Sequence, residues 1–224
     1  MISSQDRSFY IGASDTTMVV GNWNTQSWSN WWLEKLGIHK NKLSTLAMKT
    51  GNNFEHKILD SLNIEGLEKD KQIIIDRLRV NLDGNTKDCI YEVKTYNEQK
   101  EFKVSKQYWR QTQVEMYASK IHKIYIVAYA LEESDYKNYF NKIDKKRLQL
   151  IPIEYDENFI NNEYIPKLNI LIESLKNGKF PKIERRIKMK YNELTVEECF
   201  VKYHTQHIAC ICNGDKEEVI FCKE

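Results

Sequence analysis

Residues 71–96 read KQIIIDRLRVNLDGNTKDCIYEVKTY. Apolar residues crowd its two ends and DGNTKD separates them, which predicts two β-strands joined by a polar turn. Asp83 then closes the first strand, while Glu92 and Lys94 lie on the second. Successive strand side chains point to opposite faces, so Glu92 and Lys94 share one face and Val93 turns into the core. Charged side chains are costly in a strand otherwise made of Ile90, Tyr91, Val93 and Thr95 unless they are paired or bind a ligand. Two acids and an amine gathered this way can hold a divalent cation beside an ammonium group.

That chemistry suits phosphodiester hydrolysis. A hard cation polarises the phosphoryl oxygen and helps to generate the attacking hydroxide. Mg²⁺ takes oxygen ligands and keeps several waters, so Asp83, Glu92 and the main-chain carbonyl of Val93 would suffice as protein ligands. Lys94 would orient or activate the water, or stabilise charge that develops in the transition state.

The rest of the chain sets the frame. With 224 residues, 29% of them charged and a net charge of +2, it is expected to form a folded domain with a full core. Near-neutrality neither demands nor excludes nucleic acid, because binding needs a local basic stripe. The opening MISSQDRSFY lacks a basic segment followed by an apolar one, and no apolar run approaches the length of a membrane span. A cytoplasmic protein without a membrane partner is expected. Five cysteines, Cys89, Cys199, Cys210, Cys212 and Cys222, argue against a disulfide framework.

Ahead of the strands, Ser14 or Asp15 suits the N-cap of a short helix TTMVV. A second helix, about 26–36, carries Trp28, Trp31 and Trp32 on one side for core packing. Apolar spacing from Leu43 to Leu62 fits a third helix, interrupted near Gly51 and bearing Glu55. Behind the strands, KVSKQYWRQTQVEMYAS is helical, with Tyr108, Gln111 and Glu115 along one side. HKIYIVAYAL is a nearly continuous apolar strand and so a central one. A further strand spans about 148–155. A long helix follows, capped by Asp156, buried through Ile165, Leu168, Ile172 and Leu175, and ended by Gly178. The tail holds the basic residues Lys179, Lys182, Arg185, Arg186, Lys188 and Lys190, which suit either a DNA backbone or solvent. Its last stretch reads as a hairpin around Asn213-Gly214. His204, His207, Cys210, Cys212 and Cys222 could suggest zinc, but Cys210 and Cys212 lack the usual Cys-x2-Cys spacing and the cysteines read as structural hairpin residues. The pattern predicts a mixed α/β fold, a central mixed β-sheet flanked by helices. Its expected division is a domain over 1–190 and a C-terminal hairpin appendage over 191–224.

LDG, seven residues and then EVK resembles the PD-(D/E)xK nuclease motif, with Leu82 where a proline is usual. Further pieces follow the order of the lambda-exonuclease/YqaJ-type viral recombinase family: IGASD with a Trp-rich helix ending WLEKLG, GNNFE with Gly51 and Glu55, Tyr108-x-x-Gln111-x-Gln113, and NGKFP. Arg7 and Ser14 match an Arg-x6-Ser arrangement that binds a terminal 5′-phosphate in lambda-type exonucleases. The resemblance spans about residues 7–181 and implies a restriction-endonuclease-like core. It implies that Glu55, Asp83 and Glu92 belong to a Mg²⁺ or Mn²⁺ site, that Lys94 is the catalytic amine, and that Gln111 and Tyr108 support them. Gln113, turned about 200° from Gln111 on a helix, reads as a packing residue instead. By the same resemblance the chain would degrade double-stranded DNA from a 5′-phosphorylated end for phage-type recombination. It would pass the exposed strand to a single-strand annealing protein and could form a ring-shaped trimer. A restriction-type endonuclease and a non-catalytic DNA-end-binding protein are the alternatives.

Overall fold

The computed structural model describes residues 8–39, 45–181, 209–211 and 220–222. It divides into two units, 1–181 and 182–224. In the first unit a six-stranded mixed sheet carries helices on both faces, as the sequence pattern predicts. Its strands are β1 (Ile11–Gly12), β2 (Glu68–Ile75), β3 (Leu78–Asn85), β4 (Ile90–Asn97), β5 (Ile124–Leu131) and β6 (Leu148–Ile153). The helices are α1 (Thr16–Val20), α2 (Gln26–Lys35), α3 (Leu46–Ser61), α4 (Lys106–Ser119), α5 (Glu133–Lys137) and α6 (Ile165–Lys176).

The first strand of the expected pair is in fact two. The chain turns at Asp76-Arg77, so that Ile75 pairs with Leu78 and β2 runs antiparallel to β3. Asp76 adopts the left-handed φ of 54° that this tight turn requires, at a residue pair that carries no glycine to announce it.

One edge of β3 is paired with β2 from Leu78 to Asn85, with a break at Asp83. The other edge is shared. β1 runs parallel to it at Leu78 and Arg79, and β4 antiparallel to it at Gly84 and Asn85. Residues 80–83 on that edge therefore lie in a fork where β4 leaves β3. Beyond the fork β4 pairs in parallel with β5, which pairs antiparallel with β6, so β5 is central as expected.

Local sequence explains the helix ends. The Thr25, Thr45 and Ser105 hydroxyls accept from Trp28, Met48 and Tyr108 N–H at 3.1, 3.2 and 3.2 Å. α3 thus begins after Thr45, and it runs through Gly51 without the expected interruption. Asp15 does not cap α1 with its side chain. Its carboxylate accepts from Gly12 N–H at 2.8 Å and pairs with buried Lys35 at 2.6 Å. Asp156 does cap its helix, accepting from Phe159 N–H at 2.8 Å. That helix opens with a wide turn over 159–164, where Ile165 N–H reaches Ile160 C=O, just before Pro166, which has no N–H to place. Gly178 closes α6 at φ 63°.

Two cores sandwich the sheet. Trp28, Trp31 and Trp32 of α2 pack with α1, α4 and α6 over Leu78, Val80, Leu82 and Ile90. The Trp cluster is core, with Trp28 stacked on both Trp23 and Trp32 at 5.5 Å. On the other face, Phe54, Ile58 and Leu59 of α3 cover Val93, Val127, Tyr129 and Leu131. Leu171 joins Leu168 and Leu175 as the fully buried residues of α6, whereas Ile165 and Ile172 are only partly covered. No helix among the described residues is long and apolar enough to cross a membrane.

In the second unit, β7 (Ala209–Ile211) and β8 (Ile220–Cys222) pair antiparallel, and the turn expected at Asn213-Gly214 lies outside the described residues. The side chains of the Cys/His tail, and Lys182 to Lys190, lie outside the described residues.

Candidate metal centre at the strand fork

Leu78, Val80 and Leu82 of β3 face the α4 side, but a side chain at Gly84 would meet Leu59 of α3. The alternation therefore slips at Asp83, opposite Asp70, which has a left-handed φ of 57°. The slip delivers Asp83 into the fork, where its Oδ2 accepts from Val93 N–H at 2.8 Å. On β4, Val93 turns into the α3 core while Glu92 and Lys94 share the α4 side, as strand alternation predicts.

There Lys94 Nζ donates to Glu92 Oε1 at 2.6 Å and to Gln111 Oε1 at 3.3 Å. Gln111 Nε2 donates to Glu92 Oε1 at 2.5 Å and to Glu115 Oε1 at 2.7 Å. The Lys94 ammonium also lies 5.1 Å from the centre of the Tyr108 ring. Tyr108 in turn stacks on Phe102 at 6.2 Å, a neighbour that the sequence did not single out.

The electrostatics are those of too many acids in one place. Burial raises Asp83 well above the ordinary carboxylate range, and the neighbouring Glu92 and Glu55 add to it against Lys94 and the Val93 N–H. Glu55, on α3, is raised first by burial and then by Glu92. Glu115 is raised well above its usual value by burial and then by Glu92. Burial alone would lower the Lys94 ammonium, but Glu92 and Asp83 outweigh it and raise it.

The residues fit a hard divalent cation. Glu92 Oε2 is buried and has no hydrogen-bond partner among the described residues. Such an orphaned oxygen is costly unless something positive meets it. Asp83 and Glu55 are close enough to Glu92 to feel its charge, and oxygen donors of this kind suit Mg²⁺ or Mn²⁺.

No family model matches the chain, and no curated protein matches its sequence. Solved structures do match. An alkaline exonuclease, LHK-Exo, from Laribacter hongkongensis superposes with a TM-score of 0.55 at 20% identity, covering 76% of this chain and 93% of that one. LHK-Exo in complex with dAMP gives a TM-score of 0.55 at 19% identity, covering 76% and 92%. A phage-related exonuclease from Haemophilus somnus 129PT gives 0.52 at 15% identity, covering 75% and 92%. The chain has the fold of these exonucleases. It is the fold that the sequence resemblance implied.

Gln113 stays out of the cluster, as its turn of about 200° from Gln111 predicts. Gln113 is fully buried and points away from it, donating to Glu154 C=O at 2.9 Å and accepting from Asp156 N–H at 2.7 Å. It pins the connection after β6, in keeping with a packing role. Ser14 is exposed on the short turn Ala13–Asp15. Arg7 lies outside the described residues, so the pair expected to bind a 5′-phosphate is described only in part.

Two features went unread in the sequence. His56 Nε2 meets Asp70 Oδ2 at 2.9 Å, and with Glu55 they present three ligand atoms within 4.8 Å of one another. The pairing joins α3 to β2 and has no local sequence signal. Helical periodicity places Glu115 on the side of Gln111, but nothing in the sequence marks it for a role. Charged residues on amphipathic helices are usually solvated, and this one is fully buried.

Proposed function

We propose that the chain is a metal-dependent deoxyribonuclease that degrades linear double-stranded DNA from an end, in the 5′ to 3′ direction from a 5′-phosphate. The observation that carries this reading is the meeting of Asp83, Glu92 and Lys94 at the fork between β3 and β4, with one Glu92 oxygen buried and unpartnered. The exonuclease fold around it supports the reading. The dAMP in one LHK-Exo structure is a deoxynucleoside monophosphate, the class of product that an exonuclease releases.

Asp83, Glu92, Glu55 and the Val93 carbonyl would hold Mg²⁺ or Mn²⁺, which supplies Lewis acidity to the scissile phosphoryl group when bound. Lys94, fully charged at neutral pH beside Glu92, orients the attacking water and stabilises charge that grows on the phosphate. Gln111 and Tyr108 hold the ammonium in place from α4. Arg7 and Ser14 would bind the terminal 5′-phosphate, Arg7 through its guanidinium fork. The exposed strand then passes to an annealing protein in phage-type recombination, and a trimer would keep the enzyme on its DNA.

The test is incubation with Mg²⁺ of three duplexes: linear 5′-phosphorylated, linear dephosphorylated and closed circular. Degradation of the phosphorylated linear duplex first, with circles intact, is expected. Undiminished cutting of circles would make the protein an endonuclease. Binding of ends without any cleavage would make it a DNA-end-binding protein.

A further inference from the structure

Glu115 belongs to none of the motif positions, yet it ends the hydrogen-bond chain that reaches Lys94. It lies one turn after Gln111 on α4 and is fully buried. Its Oε1 accepts from Gln111 Nε2 at 2.7 Å, while its Oε2 is buried without a hydrogen-bond partner among the described residues. A buried carboxylate is a costly way to fill a helix position that an apolar side chain would fill more cheaply. The cost has a counterpart in geometry.

A primary amide offers two N–H donors and one oxygen. In Gln111 all are engaged: the donors by Glu92 and Glu115, the oxygen by Lys94 at 3.3 Å. Turned over, the amide would point its oxygen at two carboxylates and its N–H groups at an ammonium. Glu92 is also the carboxylate that would share its charge with a bound cation. Glu115 is then the acceptor left to the amide alone.

The geometry points to Glu115 as a positioning residue, a buried acceptor that fixes the orientation of the Gln111 amide so that its oxygen holds the Lys94 ammonium. The inference rests on the nuclease reading for its catalytic consequence, but its structural half stands on the Gln111–Glu115 contact.

The test compares wild-type protein with Glu115→Leu, Glu115→Gln, Gln111→Leu and the Gln111→Leu/Glu115→Leu double variant on linear 5′-phosphorylated duplex with Mg²⁺. Glu115→Leu is expected to lower kcat about tenfold or more with KM for DNA within about twofold, the usual scale for a residue that orients an active-site group. Glu115→Gln, whose amide oxygen can still accept from Gln111, is expected to keep kcat within about threefold. The double variant is expected to be no slower than Gln111→Leu alone, because both changes break one linkage. A Glu115→Gln variant as slow as Glu115→Leu, or a double variant whose loss multiplies the two single losses, would overturn the inference. Glu115→Ala replaces Glu115→Leu if leucine prevents folding, with the same two outcomes. A second readout needs no turnover: the side-chain NH₂ signals of Gln111 in ¹⁵N NMR. They should move in Glu115→Leu and stay in Glu115→Gln. An inactive wild-type protein would sink the nuclease reading and leave this readout to decide. Unmoved Gln111 signals in Glu115→Leu would then refute the positioning role.

Discussion

Lys94 shows what a single residue can betray. An amine and an acid two apart on an apolar strand are costly unless something meets them, and here they meet each other, Gln111 and Tyr108. Glu92 was legible for the same reason, and Asp83 from its place at the end of the neighbouring strand. His56, Asp70 and the role of Glu115 were not, because their partners come from other elements or their burial depends on the tertiary fold. Two expectations belong at this scale. Lys94→Ala should lower kcat about a thousandfold in cleavage assays while DNA affinity, read by fluorescence anisotropy, stays within about twofold. The second concerns protons. Asp83 and Glu55 are raised in the folded protein, so above the ordinary carboxylate value of about 4 the folded state binds more protons than the unfolded state. Their contribution to the stability of the metal-free protein is therefore present at low pH and lost as pH rises through the raised folded values. Mg²⁺ or Mn²⁺ must displace those protons, so thermal melts should show a larger metal-induced rise in Tm at pH 8 than at pH 5.

At the scale of elements, the helix and strand order was readable from periodicity, and the central place of β5 from its unbroken apolar run. The division of β2 from β3 was not, because Asp76-Arg77 carries no glycine or asparagine to mark the turn. The fork was not readable either, since it depends on β1 and β4 claiming different parts of one edge. Gly51 shows how closely α3 is seated on β4. A Cβ there would lie 2.8 Å from Thr95 Oγ1, next to Lys94 and one helical turn before Glu55. Alanine would otherwise favour the helix by about 1 kcal/mol. Gly51→Ala should nevertheless lower kcat about tenfold by shifting α3, and Thr95→Ala in the same chain should restore most of it. Equal activity in Gly51→Ala would show that the seating is slack. Elsewhere, Arg147 donates to buried Asp135 at 2.7 Å and to Ala130 C=O at 3.2 Å, tying the end of β5 to the start of β6. Burial alone would raise Asp135, but hydrogen bonds from Asn141 and Arg147 hold it below the ordinary range. Its stabilisation is therefore present above about pH 4 and lost as pH falls through the lowered value. Asp135→Ala should cost about 3 kcal/mol at pH 7 in urea unfolding, and the deficit should shrink in acid.

For the whole molecule, a net charge of +2 says little about partners. The proposed site lies in a fork between strands with α3 on one face of the sheet and α4 on the other, so the groups proposed to act on a phosphodiester are local and few. The fork is proposed to cleave DNA with a divalent metal. The measurement that tests this proposal most directly is release of mononucleotides from linear 5′-phosphorylated duplex by the wild-type and Lys94→Ala proteins, each with Mg²⁺ and with EDTA. Release by the wild-type protein in Mg²⁺ alone is predicted. Equal release by Lys94→Ala, or in EDTA, would contradict it.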